Sequence, residues 1–346
     1  EAVTLITAGG LIYCVWSLLP AIYAGERPGS ALLEVLPGIE LAFRVEPLGM
    51  LFAALASGLW LINSIYSIGY MRGNREQKQT RFYVMFAISL AATMGIAFAG
   101  NLFTLFVFYE ALTLSTYPLV SHKGDEKTVR SARVYLGILI SASIGLLLPA
   151  IIWTYSVAGT GDFTMGGILR GHIDGPQVGL LLGLFVFGAA KAAVMPVHRW
   201  LPAAMVAPTP VSALLHAVAV VKAGVFTIVK IIVYVFGVDF LFSEPSSGWL
   251  FWAAAFTIVA ASCVALGKDN LKARLAYSTI SQLSYIVLGA ALATSAGVIG
   301  GGVGALVGHS GVGKSTLVGR MTDTLLSVKA LKAMGITGRA SAVPIR

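Results

Sequence analysis

The chain has 346 residues, of which 57% are hydrophobic and 11% are charged, and its formal net charge is +9. An ordinary soluble domain has about 25% charged residues, so this composition and a mean hydropathy of +0.84 exclude a water-soluble globular protein. Positive charge in such a chain is typical of basic loops that flank membrane spans. We therefore expect a lipid bilayer around the protein and no nucleic acid partner.

Nine segments are apolar enough over about 20 residues to cross a bilayer as helices. Residues 25–46 are too short and too polar to span, and the alternation from Ile39 to Val45 predicts a small surface strand or hairpin. The predicted fold class is all-α: a polytopic membrane helix bundle in residues 1–300, followed by an anomalous tail in residues 301–346. The nine predicted spans are 2–24, 47–70, 82–100, 101–121, 133–157, 177–198, 209–236, 249–267 and 276–298.

The loops between these spans alternate in charge. Because loops rich in Lys and Arg remain in the cytoplasm, the more basic side is predicted to be cytoplasmic and the protein to be a multi-pass protein of the cell's inner (plasma) membrane. Twelve basic residues lie on that side: Arg72, Arg75, Lys78, Arg81, Lys123, Lys127, Arg130, Arg133, Arg199, Lys268, Lys272 and Arg274. Three lie on the other: Arg27, Arg44 and Arg170.

Three ionisable residues fall in the middle of predicted spans: Glu110, Lys191 and Lys222. Glu110 is about 14 Å along its helix at about 1.5 Å per residue. A charged side chain at the centre of a span costs roughly 2.5–3.5 kcal/mol, so such residues usually face a polar interior and have a function. His216 lies in the same span as Lys222. A buried Glu–Lys pair can instead be structural and fix the register of two helices, and both interpretations remain open.

Prolines indicate where these helices are interrupted. Pro196 follows Lys191 by five residues and removes a backbone hydrogen bond, which predicts a broken helix near Lys191–Pro196. Irregular backbone at membrane depth is tolerated only against protein or water, and broken helices beside a buried charge recur in transporters. Pro149 is expected to disturb the fifth span in a similar way. A simple proline kink is the alternative.

Several stretches resemble one family of membrane proteins. Residues 198–226, HRWLPAAMVAPTPVSALLHAVAVVKAGVF, are similar to the signature of the antiporter-like subunits shared by multisubunit Na+/H+ antiporters of the Mrp type and respiratory complex I. The stretches FYEALTLSTYPLV, GAAKAAVMPVHRWLP and KDNLKARLAYSTISQLSYIVLG fit the same family. The resemblance covers about residues 1–300 and is closest to the D-like members of the Mrp antiporter branch. It implies a truncated antiporter-like fold in which one inverted repeat is nearly complete at 82–236.

The resemblance also implies roles for the buried charges. Glu110 matches the glutamate of the fifth family helix, Lys191 the lysine of the broken seventh helix, and Lys222 a lysine of the eighth helix with His216 near it. Lys230 matches a later basic position and is placed toward the interface. The implied mechanism is a proton relay in which Glu110 controls Lys191, and His216 and Lys222 pass the proton onward.

The tail contains a different motif. Residues 308–315 read GHSGVGKS and satisfy the G-x-x-x-x-G-K-S/T pattern of a phosphate-binding loop. In such a loop, which begins at Gly308, Gly311 and Gly313 would let the backbone approach phosphate, Lys314 would bind the outer phosphates and Ser315 would hold Mg2+. The segment resembles a P-loop GTPase Walker A motif. Either the chain departs here from the antiporter-like sequence into the start of a GTPase-like domain, or the segment is a diverged eleventh helix of the family.

Four functions are compatible with these patterns. The first is translocation of protons or monovalent cations within a multisubunit Na+/H+ antiporter. The second is proton pumping within the membrane part of an NADH-quinone oxidoreductase or membrane hydrogenase. The third is a membrane-tethered nucleotide-binding module, and the fourth is a purely structural role in a membrane complex. The membrane part shows no motif for an organic cofactor, and the cysteines show no metal-ligand spacing, so no cofactor is predicted. The family implies other membrane subunits as partners, and H+ and possibly Na+ as ions.

Overall fold

The computed structural model describes residues 1–292 and 297–298, and in this part the chain is a bundle of helices with one small hairpin. The predicted α-helical membrane fold is confirmed. The end of the ninth predicted span and the P-loop-like residues Gly308, Gly313, Lys314 and Ser315 lie outside the described residues. The α-helices are α1 Ala2–Trp16, α2 Leu19–Tyr23, α3 Pro47–Gly73, α4 Gln79–Ala97, α5 Leu102–Val120, α6 Glu126–Ala142, α7 Leu148–Ala158, α8 Pro176–Gly188, α9 Trp200–Ala203, α10 Thr209–Ala213, α11 Val220–Ile231, α12 Val238–Ser243, α13 Trp249–Leu266 and α14 Leu271–Ala291.

Seven helical stretches among the described residues are long and apolar enough to cross a membrane, and they match seven of the nine predicted spans. The other two differ. The predicted span 177–198 is helical only over Pro176–Gly188, and the span predicted at 276–298 begins earlier, as α14 at Leu271. The seven are Ala2–Tyr23, Pro47–Gly73, Gln79–Ala97, Leu102–Val120, Glu126–Ala158, Thr209–Phe236 and Pro245–Leu266.

Helix boundaries differ from the prediction where polar residues extend a helix beyond its apolar core. Hydropathy starts the fifth span at residue 133, but α6 begins at Glu126. Asp125 is its N-cap residue, and the Asp125 carboxylate accepts a hydrogen bond from the Thr128 backbone N–H at 3.3 Å. Such a cap satisfies a helix donor that would otherwise lack a partner, so the helix starts well before its apolar part.

The hairpin predicted around residues 39–45 is present. Strand β1, Gly29–Leu36, pairs antiparallel with β2, Ile39–Arg44. Hydrogen bonds join it to two other connections: the Gly100 N–H donates to the Ala42 carbonyl at 2.8 Å, and the Phe163 N–H donates to the Gly100 carbonyl at 3.0 Å. We call this the hairpin end of the bundle, formed by residues 29–46, 98–101 and 159–175.

The opposite end carries the basic loops, and contacts there join loops that are predicted to share the cytoplasmic side. An Arg81 guanidinium N–H donates to the His122 carbonyl at 3.3 Å, and the Lys272 ammonium donates to the Ala207 carbonyl at 2.9 Å. Loops of each predicted side therefore contact loops of the same side. This pairing agrees with the topology derived from loop charge.

The stretch Thr209–Phe236 lies at the centre of the bundle, with its whole apolar window buried. By contrast α1 is mostly exposed, and α13 presents Trp252, Phe256 and Val259 on one exposed stripe. These residues are spaced by four and three positions, which places them on one helix face. An exposed apolar face is what a bilayer requires of an outer helix, so α11 is the core and α1 and α13 form the periphery.

Three π-helical turns interrupt the long helices, at Ser143–Leu147, Leu214–Val218 and Ile232–Phe236. The first lies directly before Pro149, as expected from the hydrogen bond that a proline removes. The other two bound α11 on both sides. π-Turns are rare and occur often at functional sites, and here two of them enclose the helix that contains Lys222.

Candidate functional site

The predicted break in the helix that carries Lys191 is confirmed. α8 ends at Gly188, and residues 190–192 form a single 3-10 turn that holds Lys191. The break starts seven residues before Pro196, so that proline is not its immediate cause. Gly188 packs so closely on the π-turn that a Cβ there would lie 2.4 Å from the Leu147 nitrogen.

Two further contacts hold the broken backbone. The Trp200 indole N–H donates to the Ala190 carbonyl at 2.8 Å, and the same carbonyl accepts the Ala193 backbone N–H at 2.9 Å. On the other side α11 approaches through Gly224, where a Cβ would lie 2.2 Å from the Ala192 nitrogen. Only a residue without a side chain permits this approach. The Lys191 turn is thus packed directly against α11.

Lys191 is fully buried and its ammonium is bound by α5. The Nζ donates to the Tyr109 carbonyl at 2.8 Å and to the Thr113 hydroxyl at 2.6 Å, and it lies 3.1 Å from the centroid of the Tyr109 ring. The Lys191 backbone N–H donates to the Tyr109 hydroxyl at 3.1 Å. Tyr109 and Thr113 are four residues apart and share one face of α5. All of these partners are formally neutral.

Glu110 lies next to this set but does not form an ion pair with Lys191 within 4.0 Å among the described residues. Its charge is nevertheless close enough to act on Lys191. Both Glu110 carboxylate oxygens are buried and have no hydrogen-bond partner in the described part of the chain. A buried carboxylate without partners is costly, so Glu110 is well suited to change its partner.

A second group of buried hydroxyls follows on α5. Thr116 and Tyr135 share a hydrogen bond of 2.6 Å, and Ser115 and Ser89 share one of 2.9 Å. Single Ser, Thr and Tyr residues in an apolar run have no distinctive sequence signal, so the sequence prediction does not include them. They extend the polar interior beside Lys191 toward the basic end.

Lys222 and His216 lie on either side of the backbone joint at Ala219, where the π-turn Leu214–Val218 meets α11. Lys222 is buried, with 8% of its surface exposed, and is two residues before the Gly224 contact with the Lys191 turn. The His216 Nε2 lies 3.2 Å from the Met205 sulfur. The fold thus places Lys222 on the helix that packs on the Lys191 turn through Gly224, and it places His216 against the segment after the break.

One buried ion pair is absent from the sequence prediction. The Lys230 ammonium lies 3.4 Å from the Glu46 carboxylate, with both residues almost fully buried. The resemblance places Lys230 toward the interface, and Glu46 reads as a loop residue before Pro47. The missed signal is an acidic residue directly before a span together with a second lysine two turns after Lys222.

The comparison with protein families identifies this arrangement. Residues 99–332 match the family described as NADH:quinone oxidoreductase/Mrp antiporter, TM, and residues 37–83 match the N-terminus of complex I chain 5. The chain belongs to this antiporter family. The predicted resemblance is therefore confirmed, and the protein is a polytopic membrane protein.

Curated relatives come from both branches of the family. The chain is 32% identical over 273 residues to a component of a probable K(+)/H(+) antiporter of Rhizobium meliloti (strain 1021), covering 75% of this chain and 26% of that protein. It is 30% identical over 261 residues to the chloroplastic NAD(P)H-quinone oxidoreductase subunit 5 of Anthoceros angustus, covering 72% of this chain and 34% of the relative. The chain thus spans about a third of the length of these relatives.

Solved structures show the same antiporter-family fold. A chain of the Mrp complex from Dietzia sp. DQ12-45-1b aligns with a TM-score of 0.71 and 27% identity, over 90% of this chain and 34% of that one. A chain of the archaeal membrane-bound sulfane sulfur reductase aligns with a TM-score of 0.69 and 22% identity, over 97% and 64%. The second likeness concerns the fold alone.

Proposed function

We propose that this antiporter-family chain translocates protons within the membrane part of a multisubunit cation/H+ antiporter. The observation that carries the proposal is the Lys191 site. A fully buried lysine sits on a broken helix, its ammonium bound only by neutral groups, with a carboxylate nearby that does not pair with it. A charge held without a direct counter-charge is the arrangement in which a small displacement of Glu110 changes whether Lys191 keeps its proton.

In the proposed relay, Lys191 releases its proton when Glu110 moves away and takes one up when Glu110 approaches. Lys222 is on α11, the helix that contacts the Lys191 turn through Gly224, and it is the next acceptor, with His216 at the joint that precedes it. Each transfer converts one ammonium to an amine and one amine to an ammonium. Other membrane subunits of the complex would be its partners, with H+ and Na+ or K+ as the exchanged ions.

A second candidate is supported by other observations. The match to the complex I chain 5 N-terminus and the relatives named as quinone oxidoreductase subunits favour a proton pump of a redox complex. Both candidates use the same lysines. In either case the chain itself would move protons and would not transfer electrons.

The tail is best explained by the same family. The family match extends to residue 332 and thus includes the P-loop-like segment with Gly308, Gly313, Lys314 and Ser315. This supports a diverged family sequence over a nucleotide-binding module.

The test is proton transport by membrane vesicles that contain the complete complex with Lys191→Met. We expect transport to fall by more than about ten-fold, which corresponds to a barrier higher by more than about 1.4 kcal/mol, at an unchanged amount of assembled complex. Lys123→Met, at the exposed basic end, is the matched control and should transport normally. Driving transport with a Na+ or K+ gradient, and separately with NADH and quinone, distinguishes the two candidates. Wild-type rates in Lys191→Met would refute the relay.

A further inference from the structure

The Lys230–Glu46 pair joins three helices at the hairpin end of the bundle. Glu46 immediately precedes α3, Lys230 is in α11, and the Lys230 ammonium also donates a hydrogen bond of 2.6 Å to the Ala99 carbonyl just after α4. Glu46 and Lys230 are 2% and 0% exposed. Two opposite charges are thus enclosed in protein at the end opposite the basic loops.

The pair is not arranged as a tight clamp. The ammonium directs its hydrogen bond to the Ala99 carbonyl, while the Glu46 Oε2 at 3.4 Å is buried and accepts no hydrogen bond in the described part of the chain. The Glu46 side chain also does not cap α3. Buried carboxylate oxygens normally accept hydrogen bonds, so Glu46 keeps an acceptor position that no described protein group uses.

The pair lies on the same helix as the proposed relay. Lys230 follows Lys222 by eight residues, about 12 Å along α11 at about 1.5 Å per residue. Between them Thr227 is fully buried, and its hydroxyl has no hydrogen-bond partner among the described residues. One helix therefore presents a lysine, a hydroxyl and a second lysine in succession toward the hairpin end.

An aromatic side chain covers the pair. The Phe163 ring centroid lies 4.5 Å from the Lys230 ammonium, and the Phe163 carbonyl accepts a hydrogen bond of 3.2 Å from an Arg44 guanidinium N–H. The Phe163 N–H is bound to the Gly100 carbonyl. The covering segment is loop backbone of the hairpin end, so it is separate from the helices that hold the charges.

We propose that Glu46 is a proton-exchanging carboxylate at the hairpin end of the path, with Lys230 as its fixed counter-charge, an inference that rests on the proposed proton transport. The Lys222 ammonium gives up a proton, which travels along α11 past the Thr227 hydroxyl to the Glu46 carboxylate. The Glu46 carboxylate becomes a carboxylic acid, and Lys222 becomes an amine. Glu46 then releases the proton to water at the hairpin end and returns to a carboxylate, while Lys230 stays an ammonium throughout.

The test compares single and double neutral variants in the complete complex. Glu46→Gln, and the double variant Glu46→Gln with Lys230→Met, are both expected to lose more than about ten-fold in transport. A purely structural pair behaves differently, because neutral residues can replace both members of a buried pair without leaving a charge unpaired. Recovery of at least half the wild-type transport in the double variant would overturn the proposal.

A measurement on the wild-type complex covers the case in which these variants fail to assemble. A carbodiimide reacts with protonated buried carboxyl groups, so peptide mass spectrometry should find Glu46 modified during turnover. No modification at Glu46 would show that it stays ionised and would overturn the proposal. Lys191→Met is assayed in parallel: if it abolishes transport while the double variant retains it, the relay stands and only the role of Glu46 fails.

Discussion

Two fully buried lysines lie in the same bundle and are stabilised in different ways. Lys191 is on a helix break and is bound by a carbonyl, a hydroxyl and an aromatic ring. Lys230 is inside a regular helix and has a carboxylate 3.4 Å away. Among the described residues, no carboxylate lies within 4.0 Å of the first ammonium, whereas the second has one.

This difference shows which lysine can change its protonation state. Dipoles and a ring favour an ammonium less than a formal negative charge does, and Glu110 near Lys191 is not fixed by hydrogen bonds to described residues. We therefore expect Lys191 to exchange its proton more readily than Lys230. Burial alone does not separate them, because both are fully enclosed.

Removing the charge of Lys230 tests the comparison most severely. Lys230→Met leaves Glu46 buried without its counter-charge, and breaking a buried pair in this way costs about 3–5 kcal/mol. We expect a marked loss of assembled complex and a lower thermal unfolding midpoint. Lys272→Met is the control, because that ammonium bonds only a carbonyl in the described part, Ala207 at 2.9 Å. Equal stability of both variants would mean that the pair contributes nothing.

Removing one neutral partner of Lys191 sharpens the comparison. Thr113→Val keeps the shape of the side chain but deletes the hydroxyl 2.6 Å from the ammonium. A hydrogen bond to a charged group contributes about 1.5–3 kcal/mol, so transport should fall and its pH optimum should move. Thr116→Val, which deletes the bond to Tyr135, is the control and should leave the pH optimum in place. An unmoved optimum in Thr113→Val would show that this hydroxyl does not stabilise the ammonium.

The smallest effect is expected from the packing around Lys191. Gly224→Ala would place a methyl group 2.2 Å from the Ala192 nitrogen and push α11 from the broken turn. Overpacking of this kind costs about 1–3 kcal/mol, and transport should decline together with thermal stability. Gly58→Ala in α3, where nothing lies within 4 Å, is the control and should be neutral. Unchanged stability in Gly224→Ala would show that the contact is not close in the assembled complex.

The sequence is sufficient for features that depend on local pattern. Hydropathy locates seven spans, and the alternation before Val45 predicts the hairpin. Loop charge assigns to one side of the membrane the loops that contact each other in the fold. Glu110 and Lys191 are found because a charge in an apolar run is conspicuous. The roles of Glu110, Lys191, Lys222 and His216 remain predictions.

What the sequence cannot show depends on contacts between distant segments. Glu46 and Lys230 are 184 positions apart, and only the fold brings them together. Thr113 and Tyr109 look like ordinary helix residues until the broken helix places Lys191 against them. The position of the break is also hidden, because packing of Gly188 against the π-turn before Pro149, and not Pro196, marks where α8 ends.

The two π-turns around α11 also bear on motion. A π-turn contains one residue more than an α-helical turn. If that extra residue moves from one end of a segment to the other, the segment turns by about 100°, because an α-helix has 3.6 residues per turn. Lys222 and Lys230 both lie between the turns at Leu214–Val218 and Ile232–Phe236. They would rotate together as one rigid piece, so the Lys230–Glu46 pair that holds one end of this segment also resists rotation of Lys222 at the other end.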